Sequence, residues 1–225
     1  MFGVPEPTQP DLFDFNKPEI RPTNNYPILR QAEAGGYEVA VCRWSLVPSW
    51  FRDKPLKEFR LTSFNTRIEE AATKASWKGP YARRHCLVPV ATFWEWWGPH
   101  PCGDAKKKQR WEIQRADNYD LVFAGIWDRA RTADGEIESF SILTRPAGDD
   151  LSVGHDREPV SLSPDLWRPW VDCQPVAGVF GPDVGGEDYA WPSSEKSTYR
   201  FTPAADIPDP PRKPKTAPAL PGSLL

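Results

Sequence analysis

The chain is poor in the residues from which metal and redox sites are usually built. Its 225 residues include four cysteines, three histidines and one methionine. Cys42, Cys86, Cys102 and Cys173 show no Cys-x-x-Cys spacing, which argues against a zinc site or a redox pair. Cys42, Cys86 and Cys173 lie beside apolar residues and read as small core fillers. No apolar run approaches the ~20 residues of a membrane span, and no basic, apolar and small-residue order marks a secretory signal. The expected compartment is the cytoplasm, with no membrane partner and no cofactor. A positive excess is also missing: the net charge is −3, which taken whole speaks against a nucleic-acid partner.

The distribution of charge says otherwise. Between Arg43 and Arg115 there are 15 Lys or Arg and 7 Asp or Glu, a balance of +8, and 7 of the 11 tryptophans. Cations for phosphates and flat rings for bases are what a single-stranded nucleic acid requires. A solvated basic face over a Trp-rich core would give the same counts.

Residues 1–28 are polar and proline-rich and read as an extended segment laid over the domain surface. Strands are expected at 37–46, 87–94, 110–114, 121–126, 139–144 and 159–162, from alternation and β-forming residues. Pro89 puts its strand at an edge or a bulge. Residues 98–108 and Ala116-Asp117-Asn118 read as turns, and Ala133-Asp134-Gly135 as a hairpin between antiparallel neighbours. Residues 69–76 suggest a short helix with glutamates at the positive end of its dipole. A second helix starts at Ser163 as N-cap, with Pro164 in the first position. The sum is one β-rich α+β domain over residues 1–201, a partly closed β-barrel core with peripheral helices. A Pro-rich, disordered tail follows over 202–225.

Chemistry concentrates in Thr92-Phe93-Trp94-Glu95-Trp96-Trp97. In a strand, Phe93, Glu95 and Trp97 share one face and Trp94 and Trp96 the other. A carboxylate on an aromatic face is poorly solvated, which raises its pKa toward that of a general acid or base; a solvent-facing Glu95 is the plainer alternative. Asn65 could orient a reacting group or end a turn, and Arg67 beside it could hold a phosphate. His155 is a candidate proton carrier and Arg157 a second phosphate contact, while His85 and His100 read as surface residues. Trp44 and Trp50 flank a rigid loop and could stack on bases or fill a core.

The order of these blocks resembles the SOS response-associated peptidase (SRAP) family, also called abasic-site processing proteins. RWSLVPSW (43–50) matches that family's RWGLIPxW. FNTRIEE (64–70) matches xNARxET, and RRHCLVPVATFWEWW (83–97) matches RRCLxPxxGFYEW. FAGIWD (123–128), FSILTRPA (140–147) and HDREPVSL (155–162) match FAGLWE, FTIxTxxA and HxRMPVIL. The resemblance implies a compact β-rich monomer with a basic channel for single-stranded DNA containing abasic sites. In the family an N-terminal cysteine closes a thiazolidine on the ring-opened sugar, forming a DNA–protein crosslink, and is thought to drive autoproteolysis. Carried over, Asn65, Glu95 and His155 assist catalysis. Arg67, Arg157, Trp44, Trp50 and Thr144 contact DNA, which implies association with the nucleoid. The departure is at the start. The family begins Met-Cys-Gly-Arg, whereas here Phe2 stands at the nucleophile position, followed by Gly3 and Val4. Phe2 is too bulky for ordinary removal of Met1, so a Schiff base through the Met1 amine replaces thiazolidine chemistry, as in a lyase. A DNA-binding module that has lost the chemistry is the alternative. Carbohydrate binding on exposed tryptophans, with Glu95 as acid, is a distant third and lacks a partner carboxylate.

Overall fold

The computed structural model describes residues 19–99, 107–116, 121–176 and 199–204. Phe2, Gly3, His100, Cys102, Asp117, Asn118 and the tail beyond 204 lie outside them. Five strands close a barrel: β1 (Asn25–Gln31), β2 (Tyr37–Trp44), β4 (His85–Val90), β7 (Leu121–Thr132) and β8 (Gly135–Pro146). The order is β2-β1-β4-β7-β8. A short parallel pairing of Arg43 with Ser139 and Trp44 with Phe140 joins β8 back to β2. The expected partly closed barrel is therefore fully closed. β3 (Asn65–Arg67) continues along the same edge of β8, and β9 (Arg157–Pro159) pairs with β8 antiparallel.

Alternation along these strands sorts the core into two layers. Ile28, Cys42, Cys86, Val88, Phe123, Trp127, Phe140 and Ile142 come from all five strands and face one another inside the barrel. Leu87, Ala124 and Ile126 point outward, beneath α2 (Lys78–Arg83) and α4 (Pro164–Val171), where they meet Tyr81 and Trp170. A second sheet of β5 (Phe93–Pro99), β6 (Lys108–Arg115) and β10 (Tyr199–Pro203) adds Phe93, Ile113 and Tyr199 to the enclosed layer. The Phe93 ring stands edge-on to Phe123 at 5.6 Å.

Several expectations need correction. The surface segment at 1–28 gives way to β1 at Asn25, and Ile28 is fully buried. The strand expected at 87–94 is two strands, broken at Ala91–Thr92, where the chain passes from the barrel to the second sheet. Pro89 lies where β1 no longer pairs with β4, so its missing N–H costs nothing there. The helix at 69–76 shrinks to α1 (Ile68–Ala71), since only Ile68 and Ala71 find a core to face. Ser163 is the N-cap of α4 but makes no side-chain cap bond. His85 is buried, stacked on Trp170 at 3.7 Å with backbone oxygens at both ring nitrogens. Thr202 and Pro203, placed in the tail, pair with Glu112 and Trp111 as part of β10.

Candidate functional site

The site forms where β7 and β8 part company. Their pairing ends at Gly125 and Ile142. The segment after His155 fills the gap: Val160 N–H donates to Leu143 O at 2.9 Å and Ala124 N–H to Val160 O at 2.8 Å. Backbone hydrogen bonds to both parted strands thus fix the height of His155 and Arg157. β5 carries Glu95 to the same place. His155 Nε2 lies 3.8 Å from Glu95 Oε2.

Glu95 is 27% exposed. Burial pushes its carboxyl above the ordinary value of 4.5; the nearby His155 and the Trp96 N–H oppose that shift, and Asp156 adds to it. Glu95 is thus half-buried, and the tryptophans beside it in β5 divide between the two faces of the sheet. Trp97 stacks on Trp111 at 5.3 Å, and Arg110 lies over Trp94 and Trp96 on the opposite face. Nδ1 of His155 lies 3.1 Å from Arg157 N and 3.0 Å from Arg157 O. In the tautomer whose Nδ1 accepts from Arg157 N–H, Nε2 carries its proton toward Glu95.

Asn65 and Arg67 share the exposed face of β3, while Thr66 between them is buried and donates to Ser141 Oγ at 2.8 Å. Asn65 is thus an exposed strand residue rather than a turn or cap. Arg67 pairs in register with Thr144, which ties this face to the Arg157 side of the site. Arg157 itself is heavily engaged. It donates to Thr144 Oγ1 at 3.2 Å, Thr144 O at 2.7 Å, Glu69 Oε1 at 3.1 Å and Glu69 Oε2 at 2.9 Å. Four of its five donors are occupied. Thr144 is 5% exposed, so its hydroxyl serves Arg157 rather than the surface. Trp44 is anchored by an Nε1 bond to Phe64 O at 2.9 Å, whereas Trp50 is 49% exposed. Among the described residues no group of three His, Cys, Asp or Glu could hold a metal, and no helix is long and apolar enough to cross a membrane.

Two residues of the site carried no signal of their own. Glu69 reads in sequence as a helix-dipole partner and proves to be the partner of Arg157. Gly154 lies flat against the Trp97 indole, where a side chain would collide with the ring.

The closed barrel thus carries a carboxyl–imidazole pair at its parted seam, and comparison with known proteins supplies the family. The profile of the SOS response associated peptidase (SRAP) family matches residues 7–178, and the chain belongs to that family. It is 30% identical over 141 residues to the abasic site processing protein YedK of Escherichia coli, covering 63% of this chain and 58% of that one. It is 27% identical over 131 residues to the abasic site processing protein YoqW of Bacillus subtilis, covering 58% and 55%. The chain thus spans little more than half the length of these curated relatives. A crystal structure of a Bordetella bronchiseptica protein superposes with a TM-score of 0.59 at 27% identity, over 69% of this chain and 76% of that one.

Proposed function

We propose that this protein binds single-stranded DNA at abasic sites and processes or shields them, with Glu95 and His155 as the proton-transfer pair. The observation that carries this reading is the pair itself: an imidazole 3.8 Å from a carboxyl whose pKa burial has raised. An abasic sugar must open its ring before its aldehyde can react, and His155 is suited to protonate the ring oxygen. An amine adding to that aldehyde gives a carbinolamine. Loss of water from it leaves an imine and needs a proton on the departing oxygen, which Glu95 can deliver and later recover. With Phe2 at the position of the family's cysteine, the nucleophile is an amine of the chain and the adduct a reversible Schiff base. Asn65 orients the sugar, Arg67 holds a flanking phosphate, and Trp50 offers its exposed ring to a base. Trp44, Thr144 and Arg157 support this surface from beneath, with one Arg157 donor left for DNA.

The second reading is a binding module without chemistry. The Phe2 position and the basic, Trp-rich stretch support it. Borohydride trapping on abasic single-stranded DNA separates the two. The first reading expects a covalent adduct from the wild type, cut by about 10²-fold or more in Glu95→Gln. Tight, salt-sensitive binding with no adduct supports the second. Equal affinity for single and double strands overturns both.

A further inference from the structure

We infer that Glu69 is a positioning residue for His155, acting through Arg157. The inference rests on the proposed reading of the Glu95–His155 pair. Glu69 sits in the first turn of α1 and grips Arg157 with both carboxylate oxygens, at 3.1 and 2.9 Å. Arg157 is also tied to both oxygens of Thr144. Its guanidinium is therefore held from α1 on one side and from β8 on the other. A planar fork gripped at two edges has little freedom to rotate. The backbone of the same residue faces the Nδ1 edge of His155 through Arg157 N and O. Nε2, on the opposite edge, is thereby aimed at Glu95. The path from Glu69 to Glu95 is continuous: carboxylate, guanidinium, Arg157 backbone, imidazole, carboxyl. An orienting group behind a catalytic imidazole fixes which nitrogen carries the proton. Here that group is the Arg157 backbone, which β8 already holds at Pro146, with Asp156 Oδ1 3.3 Å from the same ring nitrogen; Glu69 adds a side-chain grip from 88 residues away in sequence.

The arrangement also sets a local charge balance. Without Glu69, Arg157 would present an unpaired cation two residues from His155. With it, the charge of the fork is largely offset, and exposed Arg67 takes the larger share of the phosphate contact.

The test needs no DNA for its first arm. The chain has three histidines, so long-range nitrogen–proton NMR can report which ring nitrogen of His155 bears the proton. Wild type is expected to show one dominant tautomer, fixed by the Arg157 backbone and Asp156 at Nδ1, and Glu69→Gln a mixture of both. Glu70→Gln is the control: Glu70 pairs with Lys74 at 2.7 Å and lies in the field of Arg157 without gripping it, so the change removes a nearby charge but not the fork's anchor, and its spectrum should match wild type. In the second arm the pH profile of borohydride trapping shifts in Glu69→Gln and not in Glu70→Gln. An unchanged His155 tautomer in a folded Glu69→Gln protein overturns the inference. A wild type that forms no adduct but loses its tautomer preference in Glu69→Gln overturns the proposed function and leaves this positioning role standing.

Discussion

Gly154→Ala is the sharpest perturbation of the site. A methyl built there would lie 2.6 Å from Trp97 Cε2 and closer still to Cδ2 and Cγ. Ordinary carbon contact begins near 3.4 Å and the nearest ring atom sets the requirement, so the two must separate by about 1.2 Å. Trp97 cannot easily give way, being stacked on Trp111 at 5.3 Å and edge-on to Phe201 at 5.7 Å. The 154–155 backbone must move instead, carrying His155 with it. If the whole displacement falls along the Nε2–Oε2 line, the separation grows from 3.8 Å to about 5 Å. At an effective dielectric of about 20 that weakens the ion-pair form by about 1 kcal/mol, and by less after discounting the exposure of His155. Misplacement matters more, since an error near 1 Å in a reacting group can cost about 10²-fold in rate. Overpacking adds about 1–3 kcal/mol of instability. The assay is borohydride trapping beside thermal melting, with Gly125→Ala as comparison. A methyl at Gly125 would lie 2.8 Å from Cys86 Sγ and 3.0 Å from Val88 Cγ2 inside the barrel. It should lower Tm comparably and leave the trapping rate near wild type where both proteins are folded. Wild-type trapping by Gly154→Ala would refute the link between the glycine, the indole and the placement of His155.

Other outcomes follow from single contacts. Ser45 holds φ 122° at the position where the family motif has Gly. Strain of about 1–3 kcal/mol, less the entropy of a glycine, makes Ser45→Gly stabilising by about 1 kcal/mol, a Tm rise of about 2–4 °C; an unchanged or lower Tm would contradict that. Glu158 is 3% exposed and paired with Arg145 at 2.5 Å, where the family motif has Met. Arg145→Met alone should cost about 3–5 kcal/mol in denaturant melts, and the joint change with Glu158→Met far less. Because burial raises the Glu95 pKa above 4.5, the folded protein binds that proton more tightly than the unfolded chain. The resulting stability is present below about pH 4 and lost as pH rises through the folded value. Glu95→Gln should therefore melt like wild type at pH 4 and above it at pH 8; a pH-independent difference would count against the cause given.

Contiguous blocks were readable from sequence because each carries its own local pattern. The hairpin at Ala133–Gly135, the N-cap position of Ser163 and the face shared by Glu95 with Phe93 and Trp97 all follow from spacing. Long-range effects were not readable. β1 is hidden because Pro27 interrupts it and its only strong apolar pair is Ile28–Leu29; it becomes a strand because β2 and β4 flank it. The break at Ala91–Thr92 has no local cause, since the alternating pattern runs straight through it. Residues 69–76 have fair helical composition, yet the apolar face is one turn long and the helix stops there. In the site, Glu95 and His155 are individually conspicuous, but their pairing depends on how β5 and the 154–157 loop meet. Glu69 and Gly154 matter only through partners 88 and 57 residues away, and no spacing rule reports such pairs.

The two functional readings differ in what they require of Glu95. A surface that only binds DNA gains nothing from a carboxylate at its mouth, because an ionised Glu95 repels the phosphates that Arg67 attracts. Placing it in an aromatic setting beside His155 costs solvation, and that cost has a chemical use only if the carboxyl exchanges a proton with something bound. Binding and reaction should then separate in one variant. Glu95→Gln removes the negative charge and keeps the shape, so it should hold abasic single-stranded DNA at least as tightly as wild type while its covalent adduct is lost. Weaker binding by Glu95→Gln in salt-matched titrations would instead make the carboxylate a hydrogen-bonding contact to the DNA. The parted seam of the barrel would then be a binding groove whose acidic residue serves recognition.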